Sequence, residues 1–153
     1  MSPSADSPFD TPEATLKTLR MIWVGITFGL VAAAAVIVGA TLNSPDPGPV
    51  AFGPVRVGYV ALAALVVLMA VGYFVRLQVY KRGWETHHVK PDAYARGNIV
   101  LFAMLEAAGM LSVVLGGFVG DRFACFVIAT AAFAALILNF PNGAPMHPAE
   151  PRL

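Results

Sequence analysis

Four long apolar runs alternate with polar, proline- and glycine-bearing segments along this chain. Met21 to Leu42 gives 22 residues without a charge, Val57 to Val75 gives 19, and Phe123 to Phe140 gives 18. Gly97 to Gly120 gives 24, interrupted only by Glu106. A helix needs about 20 apolar residues to cross a hydrocarbon core of about 30 Å, so these runs have the length of membrane spans. Helices are expected because hydrocarbon offers no partner to backbone N–H and C=O groups. The alternating segments of about ten residues that build an outer-membrane barrel are absent. The pattern predicts an all-α integral membrane protein with four transmembrane helices in an antiparallel bundle. The expected spans are about 20–43, 55–80, 93–120 and 122–140, within a domain covering 19–141.

The linking segments sharpen these boundaries. MSPSADSPFDTPEAT is rich in Ser, Pro and Asp, so residues 1–18 are expected to form a disordered tail. NSPDPGPVAFGP holds four prolines and two glycines, which no helix can run through, and Pro54 suits the first turn of the second helix. The longest polar link is Arg76 to Arg96. Only Gly120-Asp121-Arg122 separates the last two runs, which predicts a tight antiparallel helical hairpin. Residues 142–153 form a polar, proline-rich tail. No internal repeat is evident. An N-terminal signal peptide is the competing reading of the first run, but 22 apolar residues exceed the 7–15 of such signals, so an uncleaved anchor is expected.

Composition agrees: 58% of residues are hydrophobic and 12% charged, against about 25% charged in soluble domains. A net charge of +1 without a basic stripe argues against a nucleic-acid partner. Basic residues set the expected orientation. Lys17, Arg20, Arg76, Lys81, Arg82, Lys90, Arg96 and Arg152 fall on one side of a four-span topology, and only Arg56 and Arg122 on the other. Both termini are therefore expected in the cytoplasm, in the inner membrane of a bacterium. Trp23, Tyr80, Trp84 and Tyr94 fall near the same face, as an aromatic belt would.

Glu106 is the candidate for chemistry. It lies nine residues beyond Gly97, about 13 Å along a helix axis, near mid-depth. An ionised carboxyl there costs at least a few kcal/mol, so it is expected to face protein or water. On a helical wheel it shares a face with Gly109, Gly117 and Gly120, while Leu101, Met104, Leu111, Leu115 and Val119 lie behind. Small residues mark close helix approach in lipid, which places the acid in a helix–helix interface. Thr27 and Thr130 lie at matching depth as hydrogen-bond partners. With no cation near, desolvation favours the protonated acid. Two roles stay open: a proton or ion site, or a neutral carboxyl joining two helices.

The remaining candidates are weaker. GITFG (Gly25, Gly29) and GGFVG (Gly116, Gly117, Gly120) carry small residues four apart, a packing pattern. His87-His88, with Glu85 and Asp92, lacks zinc-ligand spacing and reads as a solvated link. All three histidines lie outside the spans, and there is no haem-attachment motif. Cys125 reads as a small buried hydrophobe. No cofactor, metal or catalytic set is expected, so the chain is not read as an enzyme.

TLRMIWVGITFGL in the first span, with AMLEAAGMLSVVLGG in the third, resembles small four-helix bacterial membrane proteins of unknown function. That resemblance covers most of the chain and implies no activity. Glu106 beside small residues also resembles, less closely, the proteolipid subunits of rotary ATPases, which implies ion binding at Glu106. The expectation is a non-enzymatic structural or accessory membrane protein that packs with itself or with a membrane complex. The alternative is a proton- or ion-handling subunit using Glu106.

Overall fold

A computed structural model describes residues 9, 11–41, 44–45, 51–52, 55–85 and 87–147. Among them are four main helices and two small hairpins. The order is α1 (Pro12–Thr41), β1 (Ala51–Phe52), β2 (Val55–Arg56), α2 (Val57–Arg82), β3 (Trp84–Glu85), β4 (His88–Val89), α3 (Pro91–Val114) and α4 (Arg122–Leu138). A π-helical segment, Leu115–Val119, prolongs α3, and a 3-10 turn, Ala144–Met146, follows α4. The α1, α2 and α3 helices are long and apolar enough to cross a membrane, while α4, with 17 residues, is shorter.

The helix starts follow local chemistry. Thr11 Oγ1 accepts from the Ala14 N–H at 3.2 Å, Pro12 opens α1, and Glu13 sits in its first turn. The helix thus begins inside the segment expected to be disordered, because a hydroxyl cap and a proline in the first turn outweigh the polar composition. Pro91 opens α3 with Asp92 behind it. At the other end of α3, the Gly120 N–H reaches back five residues to the Leu115 carbonyl at 3.1 Å. Gly120 has φ 133° and Asp121 φ 58°, so the chain reverses through two left-handed residues into α4. The expected tight hairpin is present. Pro54 lies outside the described residues, and α2 starts at Val57.

Helix α3 is the hub. It packs on α1, α2 and α4, whereas α1 meets α4 only over a short stretch and has no comparable interface with α2. Leu30 lies over Gly109 and Ile37 over Gly117, so α1 and α3 run parallel. Gly72 receives Leu101 and Met104, and Gly116 receives Cys125, so α2 and α4 both run antiparallel to α3. Leu101 is fully buried. The wheel face behind Glu106 is therefore a second packed interface with α2, because a central helix buries more than one side.

The outer surface is apolar. Of the membrane-length window of α1, 6% is buried, against 44% for α3. Phe28, Val36, Phe74, Phe118, Phe123 and Leu138 all stand out from the bundle. Large apolar side chains exposed along all four helices mark an interaction surface for lipid or protein. It is compatible with a multi-pass membrane protein.

The chain after α4 folds back instead of hanging free. Pro141 and Met146 are buried, and the Gly143 N–H donates to the Tyr94 hydroxyl at 3.1 Å. Residues 142–147 of the polar, proline-rich tail thus pack on the bundle, held by apolar Met146 and the Tyr94 hydroxyl. Residues 148–153 lie outside the described residues.

Candidate functional site

Glu106 occupies the middle of the α3 span and leans toward α1. Its Oε1 would lie 3.8 Å from a Cβ built on Gly29, so the absence of a side chain there leaves room for the carboxyl. Gly25 and Gly29 are exposed on α1, as are Ala103 and Ala107 on α3, one turn before the acid and next to it in sequence. The half-buried carboxyl thus lies along an open crevice of small residues. Among the described residues it makes no hydrogen bond and no ion pair.

The expected threonine partners do not meet it. Thr130 is exposed on α4 and donates to its own helix, to the Phe126 carbonyl at 2.8 Å. The Thr27 hydroxyl is buried with no partner. A threonine hydroxyl in a helix can bond the carbonyl of the preceding turn, and Thr130 is engaged in this way. The glycines divide into two groups. Gly109 is covered by Leu30 and Ala132, Gly116 by Cys125 and Gly117 by Ile37, so these three lie where helices approach closely. Gly120 serves the turn. Gly25 meets nothing within 4 Å, and Gly29 meets only Glu106.

No protein-family model, no curated protein and no solved structure matches this chain. Its site must be read from its own chemistry.

A second polar cluster, absent from the sequence expectations, sits where α2 ends, α3 begins and α4 ends. The Tyr80 hydroxyl accepts from Arg76 Nε at 3.1 Å and from Asn98 Nδ2 at 2.7 Å. Arg76 also donates to Asn139 Oδ1 at 3.0 Å, and Asn139 Nδ2 donates to the Tyr73 hydroxyl at 2.6 Å. Tyr80 stacks on Tyr94 at 5.7 Å between ring centroids, and the Arg76 guanidinium lies over the Tyr80 ring. Trp23 Nε1 donates to the Leu136 carbonyl at 2.9 Å, and its ring meets Phe140 edge-on. Much of the expected aromatic belt is therefore internal: Tyr94 is buried, and only Trp84 stands well exposed. The sequence signal was the asparagine inside each of the last two apolar runs, Asn98 and Asn139. An amide there needs partners in other helices.

The β3–β4 hairpin places His88 opposite Glu85. Both nearby carboxylates are engaged: Glu85 pairs with Lys90 at 2.7 Å and Asp92 with Arg96 at 2.7 Å. The Lys90 hydrogen bond and charge hold the Glu85 carboxyl below its usual range, and the same contact raises Lys90. The pair's contribution is present above the ordinary carboxylate range and fades as pH falls through the lowered Glu85 value. At the alkaline end it fades as pH rises through the raised Lys90 value. Both groups are about half exposed, so the effect on global stability is small. Lys90→Gln is expected to move the Glu85 carboxyl midpoint upward, read from its side-chain carbon shift; an unmoved midpoint would remove the pair.

Proposed function

We propose that this chain is a non-enzymatic four-pass protein of a bacterial inner membrane, with both termini cytoplasmic. It packs with a second copy or with a membrane complex through the α1–α3 crevice. One observation carries the reading: a half-buried carboxyl near mid-span, without a hydrogen bond among the described residues, opens onto the exposed glycines of α1. A polar group facing hydrocarbon is costly, so a neighbouring helix that brings a donor to Glu106 would stabilise the assembly. Exposed Gly25, Gly29, Ala103 and Ala107 let that helix approach closely, and dispersion and hydrogen bonding drive such association in lipid. The fourth helix, about 25 Å long at 1.5 Å per residue, reaches across a locally thinned core. The basic residues at the tyrosine-rich end support a cytoplasmic placement of that end. The likeness to small four-helix bacterial membrane proteins fits the same reading.

The unpaired state of Glu106 also favours a second reading, a proton- or ion-handling subunit. One set of variants separates the two. Gly25→Leu fills open space on α1 and is expected to leave the fold intact while reducing the oligomer or complex isolated in mild detergent. Glu106→Gln keeps a hydrogen-bonding side chain that cannot ionise, so association is expected to persist with liposome proton flux unchanged from wild type. Flux lost in Glu106→Gln with assembly intact would replace the packing role by the ion-handling one. A wild type that stays monomeric and brings down no membrane partner would remove the packing role.

A further inference from the structure

At the tyrosine-rich end, a cavity of about 280 Å³ lies between the end of α2, the β3–β4 hairpin and the first turns of α3. Its walls are Val79, Arg82, Lys90, Asp92, Ala93 and Arg96, with Gly83 at its base. The base is narrow because a Cβ at Gly83 would fall on that of Ala93, and the Lys90 N–H closes the loop onto the Gly83 carbonyl at 2.9 Å. Val79 and Ala93 supply an apolar wall toward the bundle, and three cations stand around the rim.

The rim is not neutralised by its own carboxylates. Lys90 is paired with Glu85, and Arg96 with Asp92 through its Nε. Arg82 has no ion pair or hydrogen bond among the described residues. Three cations against two carboxylates leave a surplus of one positive charge. The two existing pairs are exposed, and exposed pairs yield readily to a stronger acceptor. Guanidinium groups bind phosphate oxygens through two parallel N–H bonds, which an ammonium cannot reproduce.

We propose that this cavity seats the phosphate of an anionic membrane lipid, with the phosphodiester between Arg82, Lys90 and Arg96 and the glycerol end against Val79 and Ala93. The inference rests on the membrane reading above, which puts this junction at headgroup level on the cytoplasmic face, where anionic lipids attract basic clusters. Exposed Trp84, on the same hairpin, has the amphipathic character of an interfacial anchor.

Native mass spectrometry of the full chain in mild detergent tests the idea, with short-chain phosphatidylglycerol, short-chain phosphatidylcholine and glycerol phosphate as probes. Wild type is expected to retain one phosphatidylglycerol in preference to phosphatidylcholine. Arg82→Gln with Arg96→Gln is expected to weaken that retention by about tenfold to thirtyfold, and Arg82→Lys with Arg96→Lys to weaken it less. Arg82→Gln alone removes a side chain that holds nothing in the fold, and it reads a smaller loss, about fivefold, if the double variant does not fold. Undiminished phosphatidylglycerol binding in both glutamine variants, or equal retention of phosphatidylcholine, overturns the site. Glycerol phosphate bound as tightly as the lipid overturns the lipid assignment. Alkaline washing of membranes keeps the two levels apart: a chain that stays in the pellet without lipid preference sinks only this site, whereas a chain that is released sinks the membrane reading.

Discussion

Gly117→Val is expected to destabilise the bundle by about 3 kcal/mol, the upper end for overpacking a tight interface. A Cβ at this position falls on Ile37 Cγ2, a methyl fixed to a β-branched carbon, with Thr41 close behind. Neither can swing away as the tip of a long side chain would. The contact is with α1, which has no comparable interface except with α3. Strain at Gly117 therefore pushes the second half of α1 outward and leaves α2, α3 and α4 in place. Reversible unfolding in mixed micelles measures the loss, and proteolysis of the α1 end reports where it falls. Gly39→Val, in open space on α1, serves as the control. Equal stability of the two variants would mean that α1 does not dock on α3 through this glycine.

Tyr80→Phe is expected to cost about 2 kcal/mol, near the upper limit for interhelical hydrogen bonds. The hydroxyl is the shared acceptor for a guanidinium N–H and for the amide of Asn98, which is 1% exposed. Its removal leaves two donors from two helices short of a partner, one of them charged. Asn98 keeps its bond to the Tyr94 carbonyl at 2.8 Å, and Arg76 keeps Asn139, which limits the damage. Asn98→Ala removes one of the stranded donors, so the double variant is expected to lose less than the sum of the two single changes. A double-mutant cycle measures that coupling. Strict additivity would show that the two side chains do not share a bond.

The helices were legible in the sequence because apolar runs of span length leave the backbone one way to satisfy itself. The reversal at Gly120-Asp121-Arg122 was legible for the same reason, with too few residues for anything but a tight turn. The start of α1 was overlooked despite a local signal, Thr11-Pro12-Glu13, because the Ser, Pro and Asp content around it dominates any compositional reading. At the site, the placement of Glu106 on the glycine-bearing face of its own helix follows from helical spacing, whereas the position of α1 and Gly29 opposite it does not. Its lack of a threonine partner does not, since which helices touch is a tertiary fact that depth matching alone cannot supply. The Arg76–Tyr80–Asn98–Asn139 cluster was hidden for a related reason. Its members lie up to 63 residues apart in sequence and meet only when α2, α3 and α4 pack.

The hub position of α3 has a consequence for synthesis. On the membrane reading proposed above, α1 and α2 leave the ribosome first, and they have little surface to offer one another. Each must wait in lipid as a separate span until α3 arrives. Their sequences suit that wait, with no Asn, Asp or Glu between Met21 and Leu42 or between Val57 and Val75. The helix that carries Asn98, Ser112 and Glu106 is made third, when two partners already stand ready to receive it. The order of the polar groups along the chain is thus also an assembly schedule, in which the least lipid-compatible helix spends the least time alone.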